Sequence, residues 1–278
     1  MEIYITILAL IALFAVVLHH YKVKHQKKLQ FDGLTNIAHI KMLISLVQSH
    51  RGLSSAWLNG DKSKVGPLHD LEQKISVEVD YLESQSVIQE TSRWFGFTDH
   101  WGRLNQQDKN NEPEYSFKQH TILVANLLYL LEDEAERSHL NAICLPDLPS
   151  IGFVWRELVV TTETIGQSRA IGTGVATTKT CSSVHKIRLS FLQQNIQKTM
   201  NETLSKLSSL ERFAKTHSEL LNVAKSKMEF FSKTIEHELI GSNAITINQD
   251  EYFALASDSI KALDNIFDHQ MKQIQQTI

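Results

Sequence analysis

Two arginines stand where charge is costly. Arg51 lies eleven, seven and four residues after Ile40, Ile44 and Val47, and seven before Leu58. Those spacings place it on the apolar face of a helix. Its neighbours three and four positions away are Val47, Gln48, Ser54 and Ser55, so no carboxylate on its own helix neutralises it. Arg169 repeats the situation: it follows Leu158 and Ile165 by eleven and four, and its remaining near neighbours are Gly166, Gly172 and Thr173. A cation on a buried face must be paired, because desolvating it alone costs several kcal/mol. Two arrangements meet that demand. One is a salt bridge to another helix, with Glu132, Asp133, Glu134 and Glu136 as candidate partners. The other is convergence of both guanidiniums on a small anion whose planar oxygens match their donor fork. The glycines and serines beside each arginine allow close backbone approach and add neutral donors.

The residues around both arginines carry a resemblance. Gln48-Ser49-His50-Arg51-Gly52-Leu53-Ser54 resembles the QxxRG(L)S signature of the NIT family, the nitrate- and nitrite-sensing domain. Leu148-Pro149, leading to Ile165-Gly166-Gln167-Ser168-Arg169-Ala170-Ile171-Gly172-Thr173-Gly174, is similar to its second block, GQxRAxGxG. Tyr252-Phe253-Ala254-Leu255-Ala256-Ser257 followed by Ile260 is similar to its YFxxAT…I block. The three blocks keep the family's order and span nearly all of the chain after the N-terminal apolar run. The resemblance implies an all-helical fold of two bundles sharing long helices, with an anion site between the helices bearing the first two blocks. It implies Arg51 and Arg169 as ligand-facing arginines, with His50, Gly52, Ser54, Gly166 and Gly172 around them. The sequence departs from the pattern in three places. His50 stands where Arg or Glu is usual, Ser257 replaces Thr, and Lys261 replaces Asp. Arg188 and Arg212 are candidates for a further arginine.

The elements that must position these groups read as helices almost throughout. With 4 prolines and 11 glycines in 278 residues, the chain has few breakers. Apolar residues in helical phase predict helices over about 33–58, from the turn at Gly66-Pro67 to 84, 115–140, 153 onward with a candidate continuation into 184–210, 218–240 and 250–276. An aromatic segment at 88–104 (Trp94, Phe95, Phe97, Trp101) reads as core packing interrupted by Gly96 and Gly102, and 106–113 as a polar loop. Cys144 to Gly152, with Pro146 and Pro149, marks the clearest break. Asn248 or Asp250 is placed to cap the last helix. No strand-like alternation is long enough to matter, so the expected fold is all-α: an N-terminal transmembrane helix followed by up-and-down bundles.

From Ile3 to Leu18 every residue is apolar except Tyr4 and Thr6, and no charge interrupts the run. Sixteen residues rise about 24 Å, nearly enough for a bilayer core once the flanks snorkel. There is no basic segment before the run and no small-x-small cleavage site after it, which favours an anchor over a signal peptide. Lys22, Lys24, Lys27 and Lys28 follow it. The positive-inside rule then predicts a single-pass protein of a bacterial inner (cytoplasmic) membrane with its soluble part in the cytoplasm. The expected organisation is an anchor over 1–20, a basic juxtamembrane linker over 21–30 and a helical NIT-like domain over 31–278.

A formal net charge of −3 argues against a nucleic-acid binder. Cys144 and Cys181 are too few for a disulfide framework and read as free thiols. Enzymatic motifs are incomplete. His237-Glu238-Leu239-Ile240-Gly241 has glycine where HExxH needs its second histidine, and Glu136-Arg137-Ser138-His139 is one ExxH without a second copy. Neither catalysis, a cofactor nor a bound metal is expected. Two readings follow. One is a sensory module that binds nitrate or nitrite and signals to a separate partner, such as a chemoreceptor, or through a homodimer, because no output module follows the last helix. The other is an adaptor that keeps the bundle fold without the ligand, in which case both arginines pair with carboxylates.

Overall fold

A computed structural model describes residues 2–107 and 112–278; the side chains of Glu2, Ala9, Gln106 and Gln107 are excepted. Part of the expected polar loop at 106–113 therefore lies outside the described residues. Among them there are helices and turns and no strand. The all-α expectation holds.

The first helix departs from its expected limits. No proline occurs before Pro67, and Gly33 and Gly52 are the two glycines of the first 58 residues. Helix α1 therefore runs unbroken over Glu2–Leu58, so the basic segment at 21–30 is helical and joins the apolar run to the folded domain. Charge set the expected linker boundary, but four lysines are good helix formers and terminate nothing. The apolar part is the one described helix long and apolar enough to cross a membrane, with a mean hydropathy of 2.3 over its best window and none of that window buried. From Gln30 onward α1 enters the protein core.

The rest of the chain packs around α1 and a second central helix. Helices α2 (Val65–Glu83), α3 (Ser86–Gln89), α4 (Ser92–Gln107) and α5 (Pro113–Arg137) form the first bundle with α1. Gly96 and Gly102 do not break the aromatic segment. They lie within α4, whose Trp94 and Phe97 are fully buried, because one helical glycine costs only about 1 kcal/mol against that packing. After the proline-containing turn, α6 (Ile151–Phe153) passes through a π turn at Val154–Leu158 into α7 (Val159–Thr178). Helix α7 does not continue into the next helix. Lys179 adopts a left-handed conformation (φ 55°), and Ser182 caps α8 (Ser183–Lys198) by accepting the His185 amide at 3.2 Å. Helices α9 (Ala214–Thr234) and α10 (Gln249–Gln275) complete the second bundle with α7 and α8. Asn248 caps α10, its Oδ1 accepting the Asp250 amide at 2.7 Å. Helices α1 and α7 contact one another and each contributes to its own bundle, so together they are the shared wall.

Candidate functional site

The three sequence blocks meet where α1, α7 and α10 cross. Gly166 of α7 faces α1, and a Cβ there would lie 2.9 Å from Arg51 Nη2; glycine makes room for the guanidinium. Gly52 of α1 faces α10, where a Cβ would come within 3.1 Å of the Phe253 ring and 3.7 Å of Arg169 Nε. Gly172 gives space to Tyr252, whose ring would overlap any Cβ at that position. The Tyr252 hydroxyl donates to the Ser168 carbonyl at 3.0 Å, and complete burial pushes its ionisation far above the usual tyrosine range. The motif glycines are thus explained by close helix packing.

Arg51 is buried, and its partner is a carboxylate that spacing did not single out. Nη1 donates to Glu163 Oε1 at 2.6 Å, and Nη2 donates to Glu163 Oε2 at 3.0 Å. Both groups are nearly excluded from solvent, with side-chain exposures of 0% and 7%. Gln48 Nε2 donates to Glu163 Oε2 at 3.0 Å and Gln167 Nε2 to Oε1 at 2.8 Å, so each carboxylate oxygen accepts twice. Arg51 Nη1 also donates to Thr121 Oγ1 of α5 at 3.2 Å, while its Nε has no hydrogen-bond partner. The four acidic candidates pair elsewhere: Glu132 with Arg156, Asp133 with Arg93, Glu134 with Arg137 and Asn36, and Glu136 with Asn141. Glu163 lies three residues before Gly166, and so on the same face of α7, which was the available signal.

Arg169 is only 4% exposed and is compensated differently. Nη1 donates to Ser257 Oγ at 2.9 Å, and the guanidinium lies over the Phe253 ring, 4.6 Å from its centroid. Its Nε has no hydrogen-bond partner, and no carboxylate among the described residues is within ion-pair distance. Burial, and then the neighbouring Arg51 charge, pull its pKa from 12.5 down to about 10, with Glu163 and Asp264 opposing. It is still a cation at neutral pH. The buried cluster of Arg51, Arg169 and Glu163 therefore carries one positive charge more than it neutralises.

The remaining predicted residues face other partners. His50 turns into the first bundle toward His120 and Glu72, and Ser54 lies beside His50. Gly172 lies against Tyr252. Arg188 pairs bidentately with Glu114 at 2.8 Å, and Arg212 lies over Phe213, so neither joins the cluster. Gln48, Gln167, Thr121, Phe253 and Ser257 are additional members. The cysteines are free. Among the described residues, no group of three or more potential metal ligands assembles. No family model, curated protein or solved structure matches the chain.

Proposed function

We propose that this chain is a membrane-anchored sensory module that binds a small monovalent anion, of the nitrate or nitrite class, where α1, α7 and α10 cross. One observation carries the reading: a buried cluster with a surplus positive charge, centred on an arginine whose Nε has no hydrogen-bond partner. A planar monoanion would make the cluster neutral and match the fork of Arg169. The meeting of the three NIT-like blocks at this point supports the same reading. Binding would act by favouring one packing of α1 against α7 and α10, a population shift rather than a reaction. The lysines after the apolar run support a cytoplasmic domain by the positive-inside rule, and in this reading the response passes to a partner at the membrane.

Isothermal titration of the full chain in detergent micelles with sodium nitrate and sodium nitrite tests this. Binding heat with either anion that is lost in Arg169→Met supports the sensor; no heat with both removes it. A reporter fused to the C-terminus tests topology, and activity restricted to the periplasm would overturn the cytoplasmic placement.

The Arg51–Glu163 pair favours a second reading, an adaptor whose bundle binds a protein rather than an anion. There the cluster is a structural joint, and Arg169→Met leaves partner binding intact.

A further inference from the structure

Among the described residues, one face of α1 has no cover. From Gln30 onward the helix is buried on its other sides, but Phe31, Thr35, Ala38, Met42 and Ser45 follow one another at alternating steps of four and three residues, and none of them is buried. Phe31 is 57% exposed and Met42 52%. Such steps average about 3.5 residues, the spacing of a seam between two helices that wind together. Thr35, Ala38 and Ser45 are small, which lets another backbone come close. Toward the membrane the same steps pass through Lys28 and Lys24 and reach Tyr21 and Val17. Lysine stems at a membrane boundary can turn aside toward the headgroups, so the row resumes in the apolar run.

Between α1 and α10 the row opens onto a groove of about 520 Å³. Ala38, Met42 and Ser45 line one side, and the buried Phe267 and Met271 of α10 the other. The charge inside it is matched: Lys41, 7% exposed, donates to Asp264 at 2.5 Å. The charge at its edge is not. Asp268 and Lys272 are exposed, lie one turn apart on α10, and form no ion pair among the described residues. Burial, and then Asp264, raise the Asp268 pKa, with Lys41 and Lys272 opposing.

Two features identify what fits this face. Helix α1 is continuous with the apolar run, so two anchored copies present it in parallel and at equal height. Confinement to one membrane raises their effective concentration, and a face of modest area then suffices. An unpaired acid and an unpaired base one turn apart are also their own complement under a two-fold axis, where each Asp268 meets the Lys272 of the other copy. We propose that the α1–α10 face binds a second copy of this chain, giving a parallel dimer whose two-fold axis runs along the anchors. The proposal takes only the membrane anchor from the sensor reading and does not depend on an anion binding at Arg169. Phe253 and Ser257, which touch Arg169, lie on the same α10, so two of the three helices that hold the arginine cluster also build the dimer face.

The test uses the full chain in lipid vesicles at a high lipid-to-protein ratio, with Cys144 and Cys181 replaced by serine and a short bismaleimide added. Ala38→Cys and Met42→Cys give a covalent dimer. Val77→Cys does not: it is 65% exposed at a similar height, since its neighbour Glu78 pairs with His39 of α1, but it lies on α2. Adding Met42→Lys to Ala38→Cys, a change that a half-exposed position tolerates, abolishes the dimer. No dimer from either Ala38→Cys or Met42→Cys overturns the proposal. So does an equal yield from Val77→Cys, or an undiminished yield after Met42→Lys.

Discussion

Glu163 meets both terminal nitrogens of Arg51, at 2.6 and 3.0 Å, across 112 residues of chain. An internal carboxylate thus occupies the guanidinium fork, the inter-helix salt bridge that is one of the two arrangements open to Arg51, where the family resemblance implies a ligand. Two glutamines hold that carboxylate in turn, so the pair is a fixed joint between α1 and α7. Arg169, one helical crossing away, has a hydroxyl and an aromatic face instead. The two arginines that look equivalent by spacing have different work.

Glu163→Gln leaves Arg51 buried with no carboxylate partner. Breaking a buried pair by removing one side costs about 3–5 kcal/mol. The expected result is a large drop in thermal midpoint, read by circular dichroism. In the sensor reading, sodium nitrate recovers part of that drop.

Arg169→Met removes a cation that no carboxylate neutralises. Its thermal midpoint stays near wild type or rises, because well-packed apolar replacement of a buried charge is often neutral or stabilising. Calorimetry then separates this from Arg51→Met, which strands Glu163 and is strongly destabilising.

Gly172→Ala forces a Cβ into the buried Tyr252 ring. Overpacking of this kind costs about 1–3 kcal/mol. Gly66→Ala, in α2 with nothing within 4 Å of the added atom, gains up to about 1 kcal/mol from helix propensity. Chemical denaturation of both variants gives the contrast directly.

His269 stacks on His217 and touches Phe213, and burial, then His217 and Lys272, hold its pKa below 6.5. The folded state therefore binds this proton more weakly than the unfolded chain. Stability is intact above the unfolded value of 6.5 and is lost as pH falls from there toward the folded pKa. In His269→Gln, thermal midpoints measured on the acid side fall less steeply than in wild type.

Helix positions were legible because burial follows a 3.6-residue period, and the face bearing Ile37, Ile40, Ile44 and Val47 is fully buried as that period requires. Arg51 and Arg169 were found by the same logic, as charges on such faces. Their partners were not, since spacing relates residues within one helix while Glu163 and Ser257 arrive from other helices. Helix limits departed where composition stood in for geometry. The first helix of the domain was predicted to start near Gly33 but is continuous with the apolar run, and Gly96 and Gly102 interrupted a predicted segment that does not break. In the other direction, the Thr178–Ser182 region had no glycine or proline to announce its turn; Lys179 accepts a left-handed backbone there, and its Nζ donates to the Ile247 carbonyl at 2.7 Å.

An unbroken Glu2–Leu58 helix also has mechanical meaning. Its 57 residues extend about 85 Å at 1.5 Å each, and Arg51 lies roughly 45 Å along it from His20. A stiff rod of that length has no joint in which a small displacement can be absorbed. Pivoting about its midpoint by about 5° moves each tip by about 4 Å, so a shift of the buried end near the crossing reaches the opposite end at about the same size.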